Sequence, residues 1–243
     1  MKNNKIYAGE MTASEFKEKI SNGKGVMVIF GSCEQHGYHM PLDTDNILGF
    51  ELGIRIATLT DLVVLPPINY GQVWSAKNFP GTISLTDNTI KSLVKDIVIS
   101  LQQQSPRNIV LFSAHNGNIS SFKNATRELR DEFDWTNIWY FPINYSEKII
   151  SLQESVICPI APHAGEIETS MLMAVRPDLV NLELSSNEFP INTKSYNHRP
   201  MRWSEIIKSG SFGNNNFANA EKGKKVIEII VSEIVEKMNE ILW

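Results

Sequence analysis

Cysteine is scarce. Cys33 and Cys158 are the two in 243 residues, too few for a disulfide framework, so a reduced, cytoplasmic protein is expected. No run of about 18 apolar residues occurs, and no transmembrane helix is expected. An excess of positive charge is also missing. Lys and Arg number 23 against 27 Asp and Glu, a net charge of −4, which argues against a nucleic-acid partner because phosphate binding needs a basic face. The first residues, Met-Lys-Asn-Asn-Lys-Ile-Tyr-Ala-Gly-Glu, begin basic but lack the apolar stretch of a secretory leader. There is no internal repeat, low-complexity tract or Gly/Ser linker, so residues 1–243 read as one domain. With 42% hydrophobic and 21% charged residues, the composition fits a folded domain with a substantial core rather than a disordered chain.

What is present alternates between strand and helix. Thr12 and Glu15 form a capping-box pattern that opens a helix through about residue 20. Residues 25–31 are a short continuous apolar run, the pattern of a strand buried on both faces. A helix is predicted over 46–58, a second strand over 62–66, and a helix capped by Thr86 or Asp87 that carries Ile90, Val94, Ile97 and Leu101. A third strand is predicted over 108–113, a helix over 120–133 and a fourth strand over 137–142. Residues 166–175 read as helix, 181–216 as mostly irregular, and 219–242 as a long amphipathic helix. Repeated βα units predict an α/β fold, a mainly parallel sheet between helical layers. Ligands of such sheets bind beyond the carboxyl ends of the strands, and the loops at 32–45, 66–71, 115–118 and 144–145 all fall on that edge.

The chemistry concentrates in those loops. Glu34, His36, His39, Asp43 and Asp45 lie within fifteen residues, 31–45, a mixed N/O donor set that suits Zn²⁺, Mn²⁺ or Fe²⁺ better than Ca²⁺. Glu34 and His36 alternate, so both can reach one ion or two adjacent ions. Asp45 reads equally as a helix cap and as a ligand able to bridge two metals. His39 and Asp43 are weaker candidates, either partners that fix an imidazole tautomer or solvated loop residues. His115 ends a strand before Gly117, which leaves room for close approach, while Asn118 fits a helix cap. Asn116, Gly117 and Tyr70 are candidate substrate-binding positions on the same edge. Glu166 and Glu168 suit a helix start without any chemistry. His163 has no evident structural task and is placed to shuttle a proton. Cys33 reads as a small strand-end residue rather than a nucleophile. The reaction class this implies is metal-dependent hydrolysis.

Taken together, the segments at 9–12, 31–45, 79–85, 115–118, 163–170, 176–180 and 220–223 resemble the creatininase (creatinine amidohydrolase) family. The most specific are Glu34-Gln-His-Gly37 and His163-Ala-Gly-Glu-Ile-Glu-Thr-Ser170. The resemblance implies a single three-layer αβα domain and a binuclear metal site. It implies that Glu34, Asp45 and His115 hold one ion, while His36 and bridging Asp45 hold the other. It also implies that His163 shuttles the proton, that Glu168 lies at the metal or beside His163, and that the chain forms a homo-oligomer, a hexamer in many family members. The expected substrate is a small cyclic amide, amidine or formamide. Alternatives are a lactone or cyclic ketone, or a noncatalytic role as a metal-bound partner in a biosynthetic complex. Two departures stand out. Gly117 occupies the place of a metal-binding glutamate of creatininase, as it does in formamide-cleaving deformylases and peptide-trimming maturases of the family. Residues 157–162 lack the tryptophan that creatininase sets against its substrate. Creatinine itself is therefore not the expected substrate.

Overall fold

The computed structural model describes residues 5–242 except 159, 161 and 192. The strands are β1 (Gly25–Phe30), β2 (Leu62–Val64), β3 (Ile109–Ser113) and β4 (Ile138–Pro142), joined as one parallel sheet in the order β2-β1-β3-β4. Every residue of β1, β2 and β3 is buried, which is why these strands read as unbroken apolar runs and not as alternating ones. Successive side chains leave opposite faces of a strand. Met27 and Ile29 therefore enter the core under α2 (Thr44–Thr58), α6 (Glu166–Val175) and α7 (Ala220–Ile241), with Ile149 of the short α5 (Glu147–Ile150). Val26, Val28 and Phe30 enter the core under α1 (Ala13–Ser21), α3 (Asp87–Gln102) and α4 (Ile119–Phe133). The result is a three-layer α/β fold.

Local chemistry sets the helix starts. Thr12 and Glu15 close a reciprocal capping box on α1, Thr86 accepts the Thr89 N–H at α3, and Asn219 accepts the Lys222 N–H at α7. Helix α2 begins at Thr44, two residues earlier than the hydrophobic spacing predicts, with Asp43 at the cap position making no capping hydrogen bond. The 181–216 segment is largely irregular as expected, broken by short 3₁₀ turns and the antiparallel pair β5 (Asn187–Glu188) and β6 (Gly213–Asn214). A third, smaller core holds these loops over the carboxyl edge of the sheet, packing Val73, Cys158, Met201, Trp203, Ile207 and Phe212 together. No helix among the described residues is long and apolar enough to cross a membrane.

Candidate metal centre

Two strand ends and two helix starts converge under that roof. The β1 loop supplies Glu34 and His36, the first turn of α2 supplies Asp45, the end of β3 supplies His115, and the first turn of α6 supplies Glu168, with His163 just before it. Two groups of candidate ligands result, Glu34–Asp45–His115 and His36–Asp45–Glu168, with Asp45 common to both; a third joins Glu34, His36 and His163. Asp45 is thus inside the helix and not its cap. Its Oδ2 accepts the Ser32 hydroxyl at 2.7 Å, and its two oxygens face different histidines: Oδ1 lies 3.3 Å from His36 Nε2 and Oδ2 3.1 Å from His115 Nδ1.

The hydrogen bonds fix which ring nitrogen is free. A backbone carbonyl can only accept, so His36 Nδ1–H donates to the Glu34 carbonyl at 2.9 Å and His115 Nε2–H donates to the Gln72 carbonyl at 2.7 Å. That leaves the His36 Nε2 lone pair facing Asp45 and Glu168, the latter at 3.8 Å. The His115 Nδ1 lone pair faces Glu34 Oε2 at 3.0 Å as well as Asp45. Lone pairs aimed at carboxylates repel unless a proton or a cation sits between them. Glu34 Oε2 and His36 Nε2 are both buried without a hydrogen-bond partner, and their residues are 1% exposed, so water does not compensate them. Backbone carbonyls holding the far nitrogen of each imidazole are a recurrent feature of metal-binding histidines. The donor set fits divalent transition-metal ions.

Protonation tells the same story. Burial disfavours charge on His36, yet Asp45, Glu168 and Glu34 override it and push the imidazole up to about 10. His115 is likewise raised well above its ordinary value, against burial, by Glu34 and Asp45. The Glu34 and Asp45 carboxyls are held down despite burial, Glu34 by His163 and His115, Asp45 by His36 and His115. Burial lifts Glu168 to about 7, with His36 opposing. His163 is driven the other way, to about 4, by burial and by His36 against the pull of Glu34, so its ring is neutral at pH 7. Its Nε2 lies 2.9 Å from the Gln35 carbonyl, and its ring is 4.4 Å from that of His36 and 4.6 Å from that of Trp203.

Beside the carboxylates lies a cavity of about 490 Å³ lined in part by Asn116, Gly117, Asn144, Tyr145, His163 and Glu168. Tyr70 is not among its lining residues and is 48% exposed. The expectation that Tyr70 binds substrate is not met: the 66–71 loop turns it outward, and Gln72 and Trp74 take the wall instead. At Gly117 a side chain would run into the Gln72 carbonyl oxygen and His115 Nε2, so this backbone has no space for a glutamate there. The Glu168 carboxylate stands near His36 instead, its Oε2 accepting the Ala164 N–H at 2.6 Å. Ala164 adopts φ of 50°, a left-handed turn that costs a β-carbon-bearing residue energy and swings the chain from His163 into α6. His39 is buried and its Nε2 meets the Thr169 hydroxyl at 2.9 Å, one residue from Glu168. Asp43 is exposed and accepts Asn46 Nδ2–H at 2.7 Å. The Cys33 thiol is raised by burial and by Asp43 and lies 3.4 Å from the Gly81 carbonyl.

Sequence reasoning passed over Ser32, Trp74 and Trp203. The last two line the cavity although residues 157–162 carry no tryptophan; both belong to irregular loops in which no periodicity marks an inward residue. The chain also has known relatives. The family model described as creatininase, creatinine amidohydrolase, matches residues 9–238. A creatinine amidohydrolase of Pseudomonas putida is 28% identical, over 97% of this chain and 96% of the relative. A mycofactocin precursor peptide peptidase of Mycobacterium ulcerans is 27% identical, over 95% of this chain and 90% of that protein. A manganese form of creatininase superposes with a TM-score of 0.85 at 26% identity, covering 98% and 99% of the two chains. A variant creatininase of Zn–Zn type gives 0.84 at 26% identity and 99% of each.

Proposed function

This chain belongs to the creatininase family of amidohydrolases, and from that premise we propose that it hydrolyses a carbon–nitrogen bond of a small cyclic amide, amidine or formamide with two divalent ions held by its own carboxylates and imidazoles. Glu34, Asp45 and His115 would hold one ion and His36, Asp45 and Glu168 the other, with Zn²⁺, Mn²⁺ or Fe²⁺ all compatible with these donors. Such ions, when bound, lower the pKa of water toward neutrality and polarise a carbonyl oxygen.

The remaining work belongs to the protein. His163, neutral at pH 7, can accept a proton as water attacks and deliver it to the departing nitrogen, so that the C–N bond breaks to give an acid and an amine. Trp203 beside its ring keeps water out and the ring in place. Asn116 and Gly117 border the cavity next to His115 and would seat the substrate. Ser32 and the Gln72 carbonyl hold Asp45 and His115 in register. The family resemblance also supports a homo-oligomer, and the free thiols of Cys33 and Cys158 support a reducing, cytoplasmic setting.

The observation that carries this reading is Asp45, shared by two ligand groups whose imidazole lone pairs both point at carboxylates. Elemental analysis of the purified protein beside an amide-hydrolysis assay tests it. Bound transition metal in the native protein, lost together with turnover in Asp45→Ala, is the expected result. Undiminished hydrolysis by metal-free protein would defeat the reading.

A further inference from the structure

Asn118 precedes α4 at the position of a cap, yet its side chain makes no capping hydrogen bond. It is wholly buried, and its carboxamide is engaged elsewhere. Oδ1 accepts the Gln72 N–H at 3.0 Å, while Nδ2 donates to the Gly31 carbonyl at 3.1 Å and to the Ser113 hydroxyl at 3.3 Å. A backbone N–H only donates and a carbonyl only accepts, so these partners fix which end of the carboxamide faces which loop. Two of the three lead to His115. The Gln72 carbonyl accepts its ring Nε2–H at 2.7 Å. The Ser113 hydroxyl brackets its main chain, donating to the His115 carbonyl at 2.7 Å and accepting the His115 N–H at 3.2 Å. The packing is tight, since a side chain at Gly71 would run into the Gly31 carbonyl oxygen and Asn118 Oδ1. His36 is held differently, by the Glu34 carbonyl of its own loop.

We propose that Asn118 is a positioning residue for one ion and not the other: by gripping Gln72 and Ser113 together, it holds the His115 Nδ1 lone pair on the ion shared with Glu34 and Asp45. This rests on the two-ion reading above and deepens it. An imidazole that ligates through one nitrogen is oriented by the acceptor at its other nitrogen. A peptide carbonyl does this well only if its plane cannot swing, and residue 72 lies outside every helix and strand. The Asn118 bond to the N–H of that same residue supplies the missing restraint. The Gln72 side chain is anchored separately, its Nε2 donating to Asp87 Oδ2 at 3.2 Å and Asp87 Oδ1 accepting the Ser121 hydroxyl at 2.9 Å. Losing the Asn118 carboxamide therefore frees the peptide at 72 while the loop stays attached.

Zinc is the probe, one of the ions these donors accept. Stepwise zinc competition against a chromophoric chelator and the NMR signals of the histidine ring N–H groups are both read, and the ions are told apart by which imidazole responds. In Asn118→Ala the ion on Glu34, Asp45 and His115 should bind about 10–100-fold more weakly, and the ion on His36, Asp45 and Glu168 should change by less than about threefold. The His115 Nε2–H signal should shift or disappear by exchange, while the His36 Nδ1–H signal stays in place. Equal weakening of both ions, or an unaltered His115 signal, would reduce Asn118 to ordinary packing and overturn the assignment. Should that variant not fold, the unmodified protein decides: zinc should shift the Asn118 carboxamide and Gln72 amide signals together with that of His115, and signals indifferent to zinc would refute the clamp. Failure of the unmodified protein to hold any zinc would instead bring down the two-ion reading, and this assignment with it.

Discussion

At the scale of single residues, the imidazoles make opposite contributions. His163→Ala should keep its metal by elemental analysis while kcat falls by about 10²–10⁴, the usual worth of a positioned acid–base; undiminished turnover would remove the shuttle role. Protonation of the metal-stripped protein gives a second outcome. His36, at about 10 folded against 6.5 free, and Glu168, at about 7 against 4.5, both have folded values above the free ones. Their contribution is complete below the free values and disappears as pH rises through the folded ones. His163, at about 4 against 6.5, acts in reverse, its contribution lost as pH falls through 4. Metal-free protein should therefore melt at lower temperature at pH 10 than at pH 6, and re-adding Zn²⁺ or Mn²⁺ should flatten that slope. A metal-free melting curve indifferent to alkali would contradict the geometry. Glu34, His36, His115 and His163 stand out in the sequence because ionisable residues crowd into its loops, whereas Asp45 and Glu168 read as well as ordinary helix-start residues and are gathered with them only by the fold. Tyr70 misleads for the converse reason: loop membership fixes the edge of the sheet but not the direction of a side chain.

At the scale of elements, the strands were legible almost to the residue where burial is total, as in β1 and β3, since an unbroken apolar run leaves no competing pattern, and α6, mostly buried, was legible to its ends. The 181–216 region was legible only as irregular, because its order comes from tertiary contacts such as the Trp203 N–H on the Ser75 carbonyl. Two motif residues acquire a structural reason. Glu166 accepts the Glu154 and Ser155 amides at 3.0 and 2.7 Å and pairs with Lys222 of α7, which also reaches Glu154 at 2.8 Å. This cross-tie fixes the 153–158 segment, whose Gln153, Ile157 and Cys158 line the cavity. Glu166→Gln should raise KM several-fold with less change in kcat and none in metal content, as judged by steady-state kinetics and elemental analysis. Gly223 is the second: a side chain there would run into the Ser170 carbonyl oxygen. Gly223→Ala should cost about 1–3 kcal/mol in urea denaturation, the range for overpacking.

For the whole molecule, the ligand-bearing loops are tied into one fold, so cation binding and stability should rise together. Anything that binds the folded state alone stabilises it, by about 2.7 kcal/mol at a hundredfold excess over Kd. Chelation should lower Tm, and stoichiometric metal should restore it; an unchanged Tm would mean that the ions are not held by the folded chain. The close packing of α7 against α6 at Gly223 carries one more consequence. Glu168 rides on α6, the helix whose backbone meets α7 at Gly223. A bulkier residue at that distant seam should therefore reach the donor set through the main chain, without touching a single ligand.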